Sequence, residues 1–207
     1  MLQWRSATAA IAVVTILVSA LALLWNIGLA ATVWGFTPAL VGVPLSHELA
    51  IPWWLTPLTS ALLHGSWPHL SMNMLILVFL GSQVERIVGS AGLVVAYIVG
   101  ALAAAAAQYA LGPMSIIPMI GASGAISAVL GLYALCFGRP KRVSQNMKVN
   151  RWVHVAWLLV AWVVLQWMTT YLMGMQGVMI ATGAHVGGFI AGVILQKPLL
   201  LWRYRKA

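Results

Sequence analysis

The chain alternates long apolar stretches with short polar or basic ones, and the lengths of the apolar stretches set the picture. Stretches free of Asp, Glu, Lys and Arg run 42 residues from Ser6 to His47, 52 from Ile87 to Gly138 and 45 from Trp152 to Gln196. About 20 apolar residues span the hydrocarbon core of a bilayer, so each stretch is long enough to cross it. Breakers then divide them. A first apolar helix is predicted over about residues 7–31. Pro38, Pro44 and Pro52, with Gly35 and Gly42, interrupt any helical pattern in an outer connection over about 32–67. That connection carries Trp34, Trp53, Trp54 and Trp67, as befits a segment at headgroup level. Pro68 suits a helix first turn and opens a second helix to about residue 80. Further helices are predicted over about 90–111, 121–137, 152–173 and 177–195, with Pro113 and Pro118 bracketing the turn before the fourth. Neither a fixed-period repeat nor a low-complexity linker appears. The expectation is one all-α, polytopic membrane domain of six transmembrane helices over residues 1–207.

Composition agrees. Apolar residues make up 62% of the chain and charged residues 6%, where a soluble domain spends about a quarter of its residues on charge. The net charge of +9 raises the question of nucleic acid. Its distribution answers it. Arg139, Lys141, Arg142, Lys148 and Arg151 share one loop, and Lys197, Arg203, Arg205 and Lys206 lie at the end, without the interleaved aromatics of a base-stacking surface. With six spans, all 11 Lys and Arg residues, Arg5 and Arg86 included, fall on one face, together with both termini. The positive-inside tendency makes that face cytoplasmic, and the cell (plasma or inner) membrane is the expected location. Arg5 and the triplet Ala20-Leu21-Ala22 resemble a secretory signal, but apolar residues continue to Ala31, too far for its apolar core. A retained first helix is expected. Cys136 is the only cysteine, which excludes an internal disulfide and a cysteine-based metal cluster.

Polar side chains inside spans are costly and tend to be paired or functional. The candidates are His69 and Asn73 in the second helix, Ser123 in the fourth and His185 in the sixth. Counted at 1.5 Å per residue from the nearest basic residue, they lie roughly 25, 20, 24 and 18 Å above the inner face. Three non-adjacent helices thus put polar groups in one layer. Each residue has a plain alternative. A serine in a glycine-rich helix commonly bonds its own i−4 carbonyl, and Asn73 can simply join helices. His154 reads as interfacial, and His47 and His64 as structural or solvated.

The chemistry open to the set is nucleophilic. A serine hydroxyl needs a base for its proton, and neutral histidine is the usual one. No carboxylate is available to orient it, since the only acids are Glu48 in the outer connection and Glu85 at a helix end. The unit is therefore a Ser–His dyad, for which Asn73, His69 and a backbone N–H near Ser123 can supply oxyanion donors. Gly121 and Gly124 flank the serine and permit close approach of a substrate backbone. A two-aspartate protease is excluded for want of aspartate. The motif H-E-x-x-H fails at Ile51, and a proton-coupled transporter lacks mid-span carboxylates.

Gly121-Ala122-Ser123-Gly124 resembles the G-x-S-G motif of the rhomboid family of intramembrane serine proteases. His69-Leu70-Ser71-Met72-Asn73 is similar to that family's H-x-x-x-N, and Gly183 to Gly192, with Ala184-His185, to its A-H-x-x-G-x-x-x-G stretch. The resemblance runs from about Trp53 through Gly192. It implies a six-helix rhomboid-like bundle, Ser123 as nucleophile, His185 as base, and His69, Asn73 and the Ser123 N–H as oxyanion-hole donors. It further implies single-span membrane-protein substrates within the lipid bilayer, and no cofactor or metal. Apart from the resemblance, the small residues Gly124, Ala128 and Gly131 on the fourth helix and Gly188 and Gly192 on the sixth let those two helices approach closely and bring Ser123 toward His185. The alternative is an inactive rhomboid-like protein that captures transmembrane helices without cutting them. Two positions depart from the family pattern. Trp53-Trp54-Leu55 lacks the common Trp-Arg pair, and Ser127 stands where many members carry Tyr or Phe stacked on the histidine. A small residue there is expected to leave room around His185, or to offer it another hydrogen bond.

Overall fold

A computed structural model of the chain describes residues 6–44, 51–137, 142–172 and 181–205, and among these the protein is helical. Arg5, His47, Glu48, Arg139, Lys141 and Lys206 lie outside the described residues, as does the start of the expected sixth helix at 177–180.

The expected first helix is two. Helix α1 (Ala7–Trp25) ends at Asn26, whose extended backbone (φ −162°, ψ 91°) breaks the spiral while its side chain caps α2 (Ile27–Trp34). Helix α1 turns Thr8, Ala9, Ala12, Thr15, Ser19 and Ala22 inward and leaves Leu17, Leu21, Leu24 and Trp25 exposed. Small residues inside and large apolar ones outside is the pattern of a helix packed in lipid, where close backbone approach replaces a hydrophobic drive.

The outer connection contains a short helix, α3 (Thr56–Thr59), and two single-turn 3₁₀ segments at Pro38–Leu40 and Ser60–Leu62. Helix α4 (Trp67–Ile76) begins with Ser66 capping the His69 N–H and Pro68 in its first turn. A π-helical turn (Leu77–Gly81) passes it directly into α5 (Ser82–Leu111). The run Trp67–Leu111 is 45 residues long, about twice what one crossing needs. It is broken at Gly89, where φ of 78° is left-handed backbone that favours glycine. The second and third expected helices thus meet at that break, with no loop between them.

Glu85 closes this corner. Its carboxylate accepts from the Ala7 N–H (2.7 Å), the Thr8 N–H (3.0 Å), the Thr8 hydroxyl (2.6 Å) and the Ser90 hydroxyl (2.6 Å). Two amides left open at the start of α1 are so satisfied by an acid, the charge the helix N-terminus favours.

Helix α6 (Ser123–Cys136) is short, and every residue from Ser123 to Leu132 is buried. It sits inside the bundle between α5, α7 (Met147–Leu172) and α8 (Thr182–Arg203). A Cβ at Gly188 would run into the Gly124 carbonyl oxygen, and one at Gly192 into that of Ala128. The backbones of α6 and α8 therefore touch along this seam, as the glycine pattern implied. Helix α7 starts five residues earlier than expected and buries Asn150, Val155, Trp162 and Gln166, while Trp157, Val160, Val164 and Trp167 are exposed. Helix α8 runs eight residues beyond the expected end, through Pro198 to Arg203. Among the described residues four helical runs are long and apolar enough to cross a membrane: Ala7–Trp25, Trp67–Leu111, Met147–Met168 and Thr182–Arg203.

Candidate active site

The backbone entering α6 is fixed from three sides. Gly121 has φ of 126°, a conformation open to glycine, and its N–H donates to the Ser60 carbonyl (2.9 Å). Opposite it, Phe36 and Met119 exchange backbone hydrogen bonds of 3.0 and 2.8 Å, tying the outer connection to the same turn. The third anchor is His64, which is fully buried. Its Nε2 accepts from the Ala122 N–H (3.4 Å), and its Nδ1 lies 2.9 Å from the Ser19 hydroxyl. That hydroxyl donates its single proton to the Leu62 carbonyl (2.7 Å), so His64 must donate from Nδ1 and keep Nε2 as acceptor. Both contacts select one neutral tautomer. Of the structural and solvated readings of His64, the structural one holds.

Ser123 then opens α6 with its hydroxyl 2.8 Å from His185 Nε2. The two residues are 62 positions apart, yet both are buried, at 8% and 4% exposure. The contact is possible because Gly124 and Gly188 leave no side chain between α6 and α8. Both line a cavity of about 360 Å³, together with His69, Gln108, Gly121 and Gln166. His69 reaches it from the first turn of α4: a Cβ at Gly121 would lie 3.0 Å from His69 Cε1 and 3.7 Å from the Ser123 hydroxyl. The His64 and His69 rings meet edge to face at 4.9 Å.

The fourth candidate lies apart. Asn73 is buried, is not among the residues lining the cavity, and donates from Nδ2 to the His69 carbonyl (3.1 Å). Its Oδ1 has no partner among the described residues, nor has His185 Nδ1. The expected space beside Ser127 is filled. Ser127 is fully buried and turns its hydroxyl to the Ser123 carbonyl (2.7 Å), away from His185. The Trp162 indole N–H donates to the same hydroxyl (2.7 Å), and its ring and that of His185 form a T-shaped pair with centroids 6.3 Å apart. Gln166, one turn further along α7, brings its side-chain Nε2 to 3.3 Å from His185 Nε2. Among the described residues no group of three or more His, Cys, Asp and Glu stands in a metal-binding arrangement.

A family model described as the Rhomboid domain matches residues 52–202, most of the chain. The chain belongs to the rhomboid family. It is therefore a multi-pass membrane protein of the family of intramembrane proteases, which also has inactive members. The matched rhomboid region contains every cavity residue named above, and Glu85 and Trp162 as well; α1 and α2 precede it. No curated protein matches the chain significantly.

Proposed function

We propose that this rhomboid protein is an intramembrane serine endopeptidase working with a Ser123–His185 dyad. The observation that carries the reading is the 2.8 Å contact between the buried Ser123 hydroxyl and His185 Nε2, at a cavity that both line together with His69 and Gln166. A glycine-rich helix with a structural serine gives no reason for that partner.

In the proposed reaction His185 Nε2 takes the Ser123 proton as the oxygen attacks a substrate carbonyl carbon. The resulting oxyanion is met by His69 and the Ser123 backbone N–H, the first free amide of α6, both within reach of the cavity. Asn73 joins them only if its amide releases the His69 carbonyl; otherwise it holds the turn that carries His69. The imidazolium returns its proton to the departing amide nitrogen, leaving an acyl-serine. Water, deprotonated by the same ring, releases the acyl product and restores the serine. No step needs a cofactor. The substrates proposed are single-span membrane proteins cut near the outer end of the helix. The topology proposed with this is six crossings, taking the run Trp67–Leu111 as two joined at Gly89 and α6 as a crossing shielded from lipid, with both termini cytoplasmic.

The test is turnover of a fluorogenic transmembrane peptide by purified protein in detergent. Ser123→Ala and His185→Ala should each abolish measurable cleavage, and the double variant should add little, because the pair acts as one unit. A fluorophosphonate should label Ser123 in the wild type. A folded protein that binds the peptide but neither cleaves it nor takes the label would be the helix-capturing alternative.

A further inference from the structure

One aromatic residue joins three elements at the dyad, and neither the reaction nor the motifs use it. Trp162 is 4% exposed on a helix whose other tryptophans, Trp152, Trp157 and Trp167, are all more than half exposed. Its N–H ends on the Ser127 hydroxyl, which passes the link to the carbonyl of Ser123 itself, and its ring forms a T-shaped pair with that of His185. A serine hydroxyl within a helix ordinarily bonds back to the i−4 carbonyl and is otherwise idle. Here its free lone pair is taken by a side chain from another helix, inside the core, at 2.7 Å.

We propose that Trp162 is a positioning residue for the dyad: through Ser127 it holds the Ser123 end of α6, and through its ring it limits the swing of His185. This rests on the protease reading given above. The consequence follows from the rest of the site. His185 Nδ1 has no partner among the described residues, so no hydrogen bond fixes the far side of the ring as a carboxylate would. Orientation of the imidazole then depends on the Ser123 contact, on Gln166 and on the indole ring. The indole is the largest of these and is itself clamped at its nitrogen. A base misplaced by about 1 Å can cost about a hundredfold in rate.

The experiment is a double-variant cycle read as kcat and KM separately. Trp162→Ala should lower kcat at least tenfold with KM little changed, since Trp162 is not among the cavity-lining residues. Trp162→Phe keeps a ring and drops the N–H, so it should recover part of that loss. Ser127→Ala removes the acceptor of the same bond. Trp162→Phe and Ser127→Ala combined should therefore cost no more than the worse of the two alone. Trp157→Phe, on the exposed face, serves as the control with unchanged kcat. Thermal unfolding in detergent accompanies each variant. If Trp162→Ala does not fold, the Trp162→Phe and Ser127→Ala cycle decides, and additive losses overturn the inference. Wild-type kcat in a folded Trp162→Ala also overturns it while leaving the protease intact. A wild type that takes no fluorophosphonate at Ser123 and cleaves nothing overturns both.

Discussion

At the scale of single residues, Ser127 and Glu85 show how a short polar side chain acquires its role from its neighbours. The sequence leaves Ser127 either facing a gap beside His185 or bonding to it, and its hydroxyl instead joins the Ser123 carbonyl to the Trp162 N–H. Ser127→Tyr should therefore lose most peptide turnover, because the ring would have to displace the indole. A variant with normal kcat and an unchanged melting temperature would refute that packing. Trp162 was not legible in the sequence for a geometric reason. The tryptophans of α7 recur every five residues, which turns each one about 140° around the helix from the last, so the spacing does not reveal which faces inward. Ser123, His185 and His69 were legible because charge-free spans make any internal polar group conspicuous. Asn73 was found by the same signal, yet its amide serves the His69 carbonyl, a distinction that depth along a helix does not carry. Glu85 was read only as an acid near a helix end, whereas it accepts four hydrogen bonds. Glu85→Gln puts an amide donor against donors and should cost about 2 kcal/mol of stability, measured by denaturation in detergent, with kcat little altered in the protein that remains folded.

Among the elements, the α6–α8 seam decides whether the dyad forms. Its glycines were legible as small-residue spacing, and the structure gives them a mechanical meaning: carbonyl oxygens of α6 occupy the places where side chains on α8 would be. Gly188→Val should force the two helices apart and lose about two orders of magnitude in kcat, since Ser123 and His185, the proposed nucleophile and base, sit on opposite sides of that contact. Full turnover in a folded Gly188→Val protein would show that the seam does not position the base. The helix boundaries were less legible. Asn26 splits the first helix by capping the next one, and apolar composition alone does not distinguish a cap from a polar residue passing through. The second and third helices run together because the break at Gly89 is a single residue, shorter than any turn a sequence pattern announces. Helix α8 continues past Lys197 and Pro198, where charge and proline both argued for an end.

For the whole molecule, the proposed six crossings would put all 11 Lys and Arg residues on one side, and that distribution predicts orientation in the membrane. Reporter fusions after Lys148 and after the C-terminus should both read cytoplasmic, and one near Glu48 external. An external reading at Lys148 would require a different number of crossings. At the corner around Gly89, distant parts of the chain converge on one turn. The start of α1 is bound by Glu85, the Tyr204 hydroxyl donates to the Ile87 carbonyl at 3.1 Å, and the Arg203 side chain lies against Gly89. Residues 7, 85–90 and 203–204 thus form a single joint. Synthesis reaches these pieces in order, so the joint is completed in two stages. The first half, α1 onto Glu85, can close as soon as the second helix has emerged. The second half must wait for Arg203 and Tyr204, which follow both Ser123 and His185 in the chain. A nascent protein therefore carries Ser123 and His185 before this corner is locked, and a chain ending before Tyr204 would leave the Ile87 carbonyl without its hydroxyl partner.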